Sequence, residues 1–132
     1  MTGSQFERII VRALGDNGYW AHRIAPDARG AQPFDVIAMG GGRVIAADCK
    51  VCQGGRFSFE RFEDNQRLAF ELIRQMNRNA SNLHIGIFAW YDGKVYWIDY
   101  DTLLVQMQNG RKSFKVMEVG SECKRLSEEA SL

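Results

Sequence analysis

The stretch that decides the fold is PFDVIAMGGGRVIAADCKV, residues 33–51. Two apolar runs, residues 34–39 and 43–51, flank three consecutive glycines at 40–42. Glycine adopts positive φ without steric cost, and the β-branched residues on both sides favour extended chain. The pattern therefore predicts a tight β-hairpin.

The register of this hairpin brings two acidic residues together. If the last two glycines form a two-residue turn, Gly40 pairs with Arg43, and counting outward places Asp35 directly opposite Asp48. Opposed Cβ atoms are about 4.5–5.5 Å apart, so two carboxylates there repel each other. Because side chains alternate along a strand, Lys50 projects from the same face as Asp48. We therefore expect a cation to lie between the two carboxylates and to offset their repulsion.

This combination of side chains suits hydrolysis of a phosphodiester. Carboxylate oxygens are ligands that Mg²⁺ prefers, and the metal acidifies water and neutralises charge on the phosphate. A lysine orients the water or stabilises the developing charge. We therefore predict a metal-dependent endonuclease in which Asp35, Asp48 and Lys50 are catalytic and the two acids hold Mg²⁺. In the alternative interpretation the acids are unrelated and Lys50 makes an ordinary surface ion pair.

Outside the hairpin, helical and strand patterns alternate. Apolar spacing predicts a first helix over residues 5–14, which Ser4 and Glu7 would begin as a capping box. The further predicted elements are a strand at 19–24, a helix at 62–79, a second hairpin at 83–90 and 94–99, a short helix at 102–108 and a strand at 114–119. The order α-β-β-β-α-β-β-α predicts an α/β fold, with a mixed central β-sheet flanked by helices.

Length and composition fit one globular domain. The chain has 132 residues, of which 45% are hydrophobic, so it can bury a core of its own. We assign residues 1–120 to the domain and 121–132 to a polar, frayed tail. No apolar run approaches the about 20 residues that span a bilayer, and no secretory pattern is present, so we expect a cytoplasmic protein with no membrane association. The net charge of +1 does not by itself predict nucleic acid.

At this point the residues resemble a known pattern, that of the PD-(D/E)xK nuclease superfamily. PFD at 33–35 corresponds to its first element and DCK at 48–50 to its second. Within the superfamily the chain is most similar to Holliday junction resolvases, particularly the RecU-like type. There the D-x-K strand is followed by Ser-Phe, here at 58–59, and by a helix with Phe62 and Gln66 at the F-x-x-x-Q spacing. The resemblance spans residues 5–104.

The resemblance implies a restriction-endonuclease-like core, Mg²⁺ or Mn²⁺ as cofactor, and a homodimer that cuts symmetric strands of a branched, four-way DNA junction. It also implies that an acidic residue of the first helix, here Glu7, joins the metal site. The segment between Asp35 and Asp48 is too short for the stalk-like insertion of RecU-like enzymes. Another repair or restriction-type nuclease of the superfamily, and a non-catalytic DNA-binding module with a relic site, remain as alternatives.

Several candidate residues admit two interpretations each. Glu7 either ligates the metal or only caps its helix. Gln66 lies on an apolar helix face, so it either hydrogen-bonds the core backbone or reaches the site. The resemblance implies the second, and on that ground we place Gln66 in the catalytic set. Cys49 alternates away from Asp48 and is expected to pack in the core, with its backbone carbonyl as a candidate metal ligand. Zinc binding by Cys49 and Cys52 is disfavoured because a structural zinc needs four ligands.

The DNA-contacting groups are less sharply defined. Four arginines are candidates for phosphate contacts, and solvated positions are an equal alternative for them. They are Arg8, Arg12, Arg23 and Arg29. The aromatic residues of the second hairpin, between Phe88 and Trp97, either stabilise the sheet as cross-strand pairs or supply the apolar surface of the dimer.

Overall fold

The computed structural model describes residues 1–25 and 32–130. A single turn of 3-10 helix, Phe59–Arg61, precedes the second α-helix. The other elements, in chain order, are α1 (Gly3–Asp16), β1 (Trp20–Arg23), β2 (Val36–Gly40), β3 (Arg43–Val51), β4 (Arg56–Ser58), α2 (Asp64–Met76), β5 (Leu83–Tyr91), β6 (Lys94–Asp99), α3 (Tyr100–Gln108), β7 (Ser113–Lys115), α4 (Val116–Val119), β8 (Ser121–Glu122) and α5 (Lys124–Ala130).

A six-stranded mixed sheet forms the centre, in the order β1-β2-β3-β5-β6-β8. Strands β3 and β5 are parallel and the other neighbours are antiparallel. A parallel pair needs a crossover connection, and α2 lies within the segment that joins β3 to β5. The predicted α/β fold, a mixed sheet flanked by helices, is confirmed.

Both predicted hairpins form with the expected turns. Gly41 and Gly42 have φ of 59° and 77°, and Gly40 pairs with Arg43. In the second hairpin, Asp92 and Gly93 have φ of 51° and 76°. Two successive positive φ values are typical of two-residue hairpin turns, because they match the twist of the flanking strands. Such a turn allows one pairing of the two strands and so determines their register.

Each face of the sheet is covered by its own apolar cluster. On one face α1 and α5 pack with alternate residues of β2 and β3, and Phe6, Ile10 and Ala47 are fully buried there. The opposite face is covered by α2, α3 and the small β4–β7 sheet, with Phe57 and Phe70 fully buried. Among the described residues, no helix is both long and apolar enough to cross a membrane.

Two local predictions differ from the structure. The first helix begins earlier than expected, because Thr2 and Gln5 form its capping box in place of Ser4 and Glu7. The strand predicted over residues 114–119 is divided between β7 and α4, since its first residues pair with β4 and the chain then turns into a helix.

The C-terminal segment is also more ordered than a frayed tail. Strand β8 pairs with β6, and α5 packs against α1. Leu126 is buried in the α1-side cluster, and the Ser127 hydroxyl accepts a hydrogen bond from the Val95 N–H at 2.8 Å. Residues 121–130 therefore close one edge of the domain, although their composition is polar.

We predict that Leu126→Ala lowers the free energy of unfolding by about 2–3 kcal/mol, since it removes buried methyl groups and leaves a cavity. Val105→Ala, at an exposed position of α3, is the control and is expected to change stability by less than about 0.5 kcal/mol. Urea unfolding measures both. Equal, small effects would mean that α5 contributes no packing.

Candidate active site

Asp48 lies at the centre of the candidate site and is 1% exposed. It stands on β3, between β2 and β5, so its carboxylate is enclosed by the sheet and by α2. Gln66 Nε2 donates a hydrogen bond to Asp48 Oδ1 at 2.9 Å, and Lys50 Nζ lies 3.1 Å from Oδ2. The predicted neighbours Lys50 and Gln66 therefore both reach Asp48.

Asp35 approaches from the adjacent strand. The β2–β3 ladder ends at Val36 opposite Ala47, so the register places Asp35 beside Asp48 as predicted. Cys49 follows Asp48 on β3 and lies beyond the last β2–β3 pair, so its N–H takes no part in that ladder. Asp35 Oδ2 accepts that N–H at 2.8 Å, which fixes the carboxylate against the strand end.

The two carboxyl groups lie within hydrogen-bond reach of each other. Burial, followed by the hydrogen bond and the negative charge of Asp35, raises the pKa of Asp48 to about 8, while Lys50 acts in the opposite direction. In the metal-free protein, burial and the neighbouring Asp35 carboxylate therefore disfavour the ionised form of Asp48, and a bound cation would favour it.

Gln66 connects the carboxylates to α2. Its Oε1 accepts the Glu63 N–H at 3.2 Å in the capping box of the helix, while its amide nitrogen is turned to Asp48. One buried side chain thus satisfies both the start of α2 and an oxygen of the acid pair. Of its two predicted interpretations, the one that reaches the site matches this geometry.

Glu7 lies near the acid pair but is engaged elsewhere. Its carboxylate forms an ion pair with Arg23 at 3.2 Å. Burial and the charge of Asp35 raise the pKa of Glu7, and Arg23 and Lys50 lower it, so it senses the site electrostatically. Within residues 1–25 and 32–130, no group of three or more His, Cys, Asp and Glu side chains is arranged to hold a metal. The expected third acid is therefore not gathered with the other two, because Arg23 holds it.

The acid pair itself fits a hard divalent cation. Two carboxylates are enough for Mg²⁺, which completes its shell with water and substrate phosphate. Asp48 Oδ2 is contacted by the Lys50 ammonium at 3.1 Å, and the Asp35 carboxyl group lies within hydrogen-bond reach of Asp48. Two neighbouring carboxyl groups of this kind offer hard oxygen ligands for such a cation.

The two cysteines of the C-x-x-C motif do not come together. Cys49 is buried in the cluster on the α1 side of the sheet and Cys52 in the cluster on the other side. Both are free thiols whose pKa is raised, chiefly by burial. The motif is therefore divided between two cores.

The predicted DNA-contacting arginines have different surroundings. Arg8 and Arg12 are exposed on α1, one turn apart. Arg23 donates to Ser4 Oγ as well as to Glu7. Arg29 lies outside the described residues.

Sequence reasoning missed two features near the site. Arg61 Nη1 donates to the Val51 carbonyl at 2.9 Å, which places an exposed cation at the end of β3. On the edge strand, Trp20 is exposed and its ring is stacked on that of His22. The alternation of side chains along β1 places Trp20 and His22 on one face, but it does not show that this face is exposed to solvent.

The fold and the site define the class of protein: an α/β domain whose paired carboxylates and lysine suit cleavage of phosphodiesters. Residues 1–98 match the model of the archaeal Holliday junction resolvase (Hjc) family, and the chain belongs to that family. The resolvase resemblance is thereby confirmed, with Hjc rather than the RecU-like type as the matching family.

A solved structure agrees with this assignment at the level of fold. It is that of Archaeoglobus fulgidus Hjc, a Holliday junction resolvase from an archaeal hyperthermophile, to which this chain is similar with a TM-score of 0.63 and 18% sequence identity. The match covers 96% of this chain and 98% of that one. No curated protein matches the chain.

The raised pKa of Asp48 predicts a pH-dependent stability. The folded protein keeps a proton that the unfolded chain, with a pKa of 3.8, has already lost, so the metal-free protein is expected to lose stability as the pH rises from about 4 to about 8. Asp48→Asn should flatten this slope in urea unfolding. Asp101→Asn, at an exposed carboxylate, should leave it unchanged. A wild-type slope no steeper than that of Asp48→Asn would contradict the assignment.

Proposed function

We propose that this protein is a metal-dependent endonuclease of the PD-(D/E)xK superfamily that cleaves four-way DNA junctions, with Mg²⁺ or Mn²⁺ as cofactor. The observation that carries the proposal is the buried pair Asp35–Asp48 with Lys50 Nζ 3.1 Å from one of its oxygens. Membership of the Hjc family supports the junction as the substrate.

Each side chain of the site has a proposed task. Asp35 and Asp48 would hold the cation, with the backbone carbonyl of Cys49 as a third oxygen ligand. The Cys49 N–H donates to Asp35. In an extended strand the carbonyl of a residue points to the same side as its N–H, so the Cys49 carbonyl oxygen also faces Asp35. Gln66 would hold Asp48 in its ligating orientation through the 2.9 Å hydrogen bond.

Lys50 is assigned to the reacting phosphate. When bound, a divalent cation would supply charge neutralisation and a more acidic water. Once the carboxylates are neutralised in this way, the Lys50 ammonium would be released from Asp48 and would orient the attacking water or stabilise the phosphate charge. Its side chain is 16% exposed, so it can serve both a buried acid and a bound strand.

Glu7 and the predicted DNA-contacting arginines have supporting tasks in the proposal. We propose that Arg8, Arg12, Arg23 and Arg29 contact phosphates. A phosphate that engaged Arg23 would free Glu7, whose carboxylate would then face the cation as the third acidic group. A bound cation adds positive charge that the net charge of +1 does not count. We place this activity in the cytoplasm, where the cysteines stay reduced.

A homodimer is part of the proposal, because two copies related by a twofold axis would match the near-twofold symmetry of a junction. In the second hairpin, Phe88 is buried and its ring lies 4.9 Å from that of Trp97, which favours a cross-strand pair over a dimer contact for these two residues. Helix α2 instead exposes Leu68, Leu72 and Met76 at four-residue spacing, with Leu68 72% exposed. We assign the dimer contact to this stripe.

We predict that Asp35→Asn and Asp48→Asn each reduce junction cleavage at least about 100-fold, since each removes a cation ligand. Lys50→Ala should reduce it by a similar factor while calorimetry still detects divalent-metal binding, because the ammonium is assigned to the phosphate. The control is Arg56→Ala, which removes one exposed positive charge from the small β4–β7 sheet and should keep activity.

The substrates for this assay are a four-way junction, a flap, linear duplex and single strands. Paired symmetric nicks in the junction alone support a resolvase, whereas equal cutting of linear duplex would replace it with a general nuclease. Wild-type protein that cuts none of them with Mg²⁺ or Mn²⁺ would leave only a DNA-binding module. Retained cleavage by a folded Asp35→Asn protein would refute the site.

We predict that Leu72→Glu converts the dimer into a monomer, since a charge would be buried at the centre of the apolar stripe. Val105→Glu, at another exposed apolar position, should leave the dimer intact. Light scattering at micromolar concentration measures both. A wild-type monomer, or a dimer unaffected by Leu72→Glu, would contradict the assigned surface.

A further inference from the structure

The edge strand β1 carries an exposed aromatic pair that no packing among residues 1–25 and 32–130 explains. Trp20 is 60% exposed, and its ring is stacked on that of His22 with a centroid distance of 5.9 Å and an interplanar angle of 6°. The residue opposite Trp20, Met39 on β2, is exposed as well. Contiguous exposed apolar surface of this kind is typical of a binding site.

The pair lies on the same face of the sheet as the acid pair. Trp20 pairs with Met39 and His22 with Ile37, and directly opposed residues point to the same face. Met39, Ile37 and Asp35 alternate along β2, so their side chains share that face. The helix that packs on β1 is α1, and it covers the opposite face, where Ala21 joins its cluster.

The distance between the two sites suits one bound DNA strand. Met39 lies four positions along the extended chain from Asp35, which is about 14 Å at about 3.4 Å per residue. A stacked DNA strand advances about 3.4 Å per nucleotide, so this is about four nucleotides. A strand with its phosphate at the acid pair would therefore bring a nearby base over the Trp20 ring.

The chemistry of the surface favours a base over other occupants. An indole ring supported from one side by a parallel imidazole presents a single planar π-face, and every nucleobase stacks on such a face irrespective of sequence.

We propose that Trp20, supported by His22, is a stacking platform for an unpaired or unstacked base at the branch point of the bound junction. The platform rests on the proposed function, since it positions the strand that the acid pair cuts. It recognises a branch because a base in continuous duplex has both faces covered by its neighbours, whereas a base at the crossover can turn one face outward.

The experiment compares Trp20→Ala, Trp20→Phe and the control Met117→Ala, which removes an exposed apolar side chain from α4. Binding is measured in EDTA, to linear duplex and to a four-way junction with 2-aminopurine at the branch point. We expect Trp20→Ala to bind the junction about ten-fold more weakly and the duplex unchanged within about two-fold. Trp20→Phe and Met117→Ala should stay within about three-fold of wild type on both.

The 2-aminopurine signal reports stacking directly. It should be quenched on binding by wild type and Trp20→Phe, and much less by Trp20→Ala at saturation. Unchanged affinity and quenching with Trp20→Ala, or equal losses on junction and duplex, would overturn the platform. So would conversion of a dimer to a monomer by Trp20→Ala, which would make the surface a contact between copies of the chain.

These outcomes separate the platform from the proposed function. Wild-type protein that cuts the junction while Trp20→Ala binds it normally would remove the platform and leave the nuclease. Wild-type protein that neither binds nor cuts the junction would remove both.

Discussion

The structure depends on one constraint: a glycine turn sets a register in which two carboxylates meet inside the sheet. Asp35 and Asp48 are brought within hydrogen-bond reach, and the second is almost completely buried. The surrounding groups counter the repulsion with donors, namely the Cys49 N–H, the Gln66 amide and the Lys50 ammonium. The pKa of Asp48 nevertheless stays near 8, so the fold carries an electrostatic cost that a bound cation would relieve. Carboxyl groups with a strongly perturbed pKa are often found at functional sites.

The two faces of the sheet have separate tasks. The face covered by α1 and α5 is closed by packing, and even the polar C-terminal residues contribute Leu126 to it. The other face is covered by α2 and the small sheet over only part of its width, which leaves the acid pair accessible through Lys50 and leaves Trp20 open at the edge strand. Similarity at 18% identity shows the fold alone. The chemical argument therefore rests on where these particular side chains lie.

The hairpin register was predictable because a two-residue turn between paired strands allows one alignment. The place of Gln66 in the site was predicted from the family resemblance, because a polar residue on an apolar helix face could equally hydrogen-bond the core backbone. Other features depend on contacts between distant residues. The sequence offers two overlapping candidates for the capping box of α1, Thr2 with Gln5 and Ser4 with Glu7. The first one forms, and Glu7 instead makes an ion pair with Arg23. Local pattern equally cannot show that a lone Leu126 is buried, since its partner helix lies more than 100 residues earlier.

The most direct test of the account is where a divalent cation binds. In NMR spectra of the folded protein, trace Mn²⁺ broadens the signals of nuclei close to the ion. The account predicts that the Cys49 backbone N–H and the Gln66 side-chain amide broaden first, that the Asn77 side-chain amide on the far end of α2 does not, and that Asp48→Asn abolishes the effect. Selective broadening elsewhere, or none at Cys49 and Gln66, would show that the paired carboxylates are not the metal site.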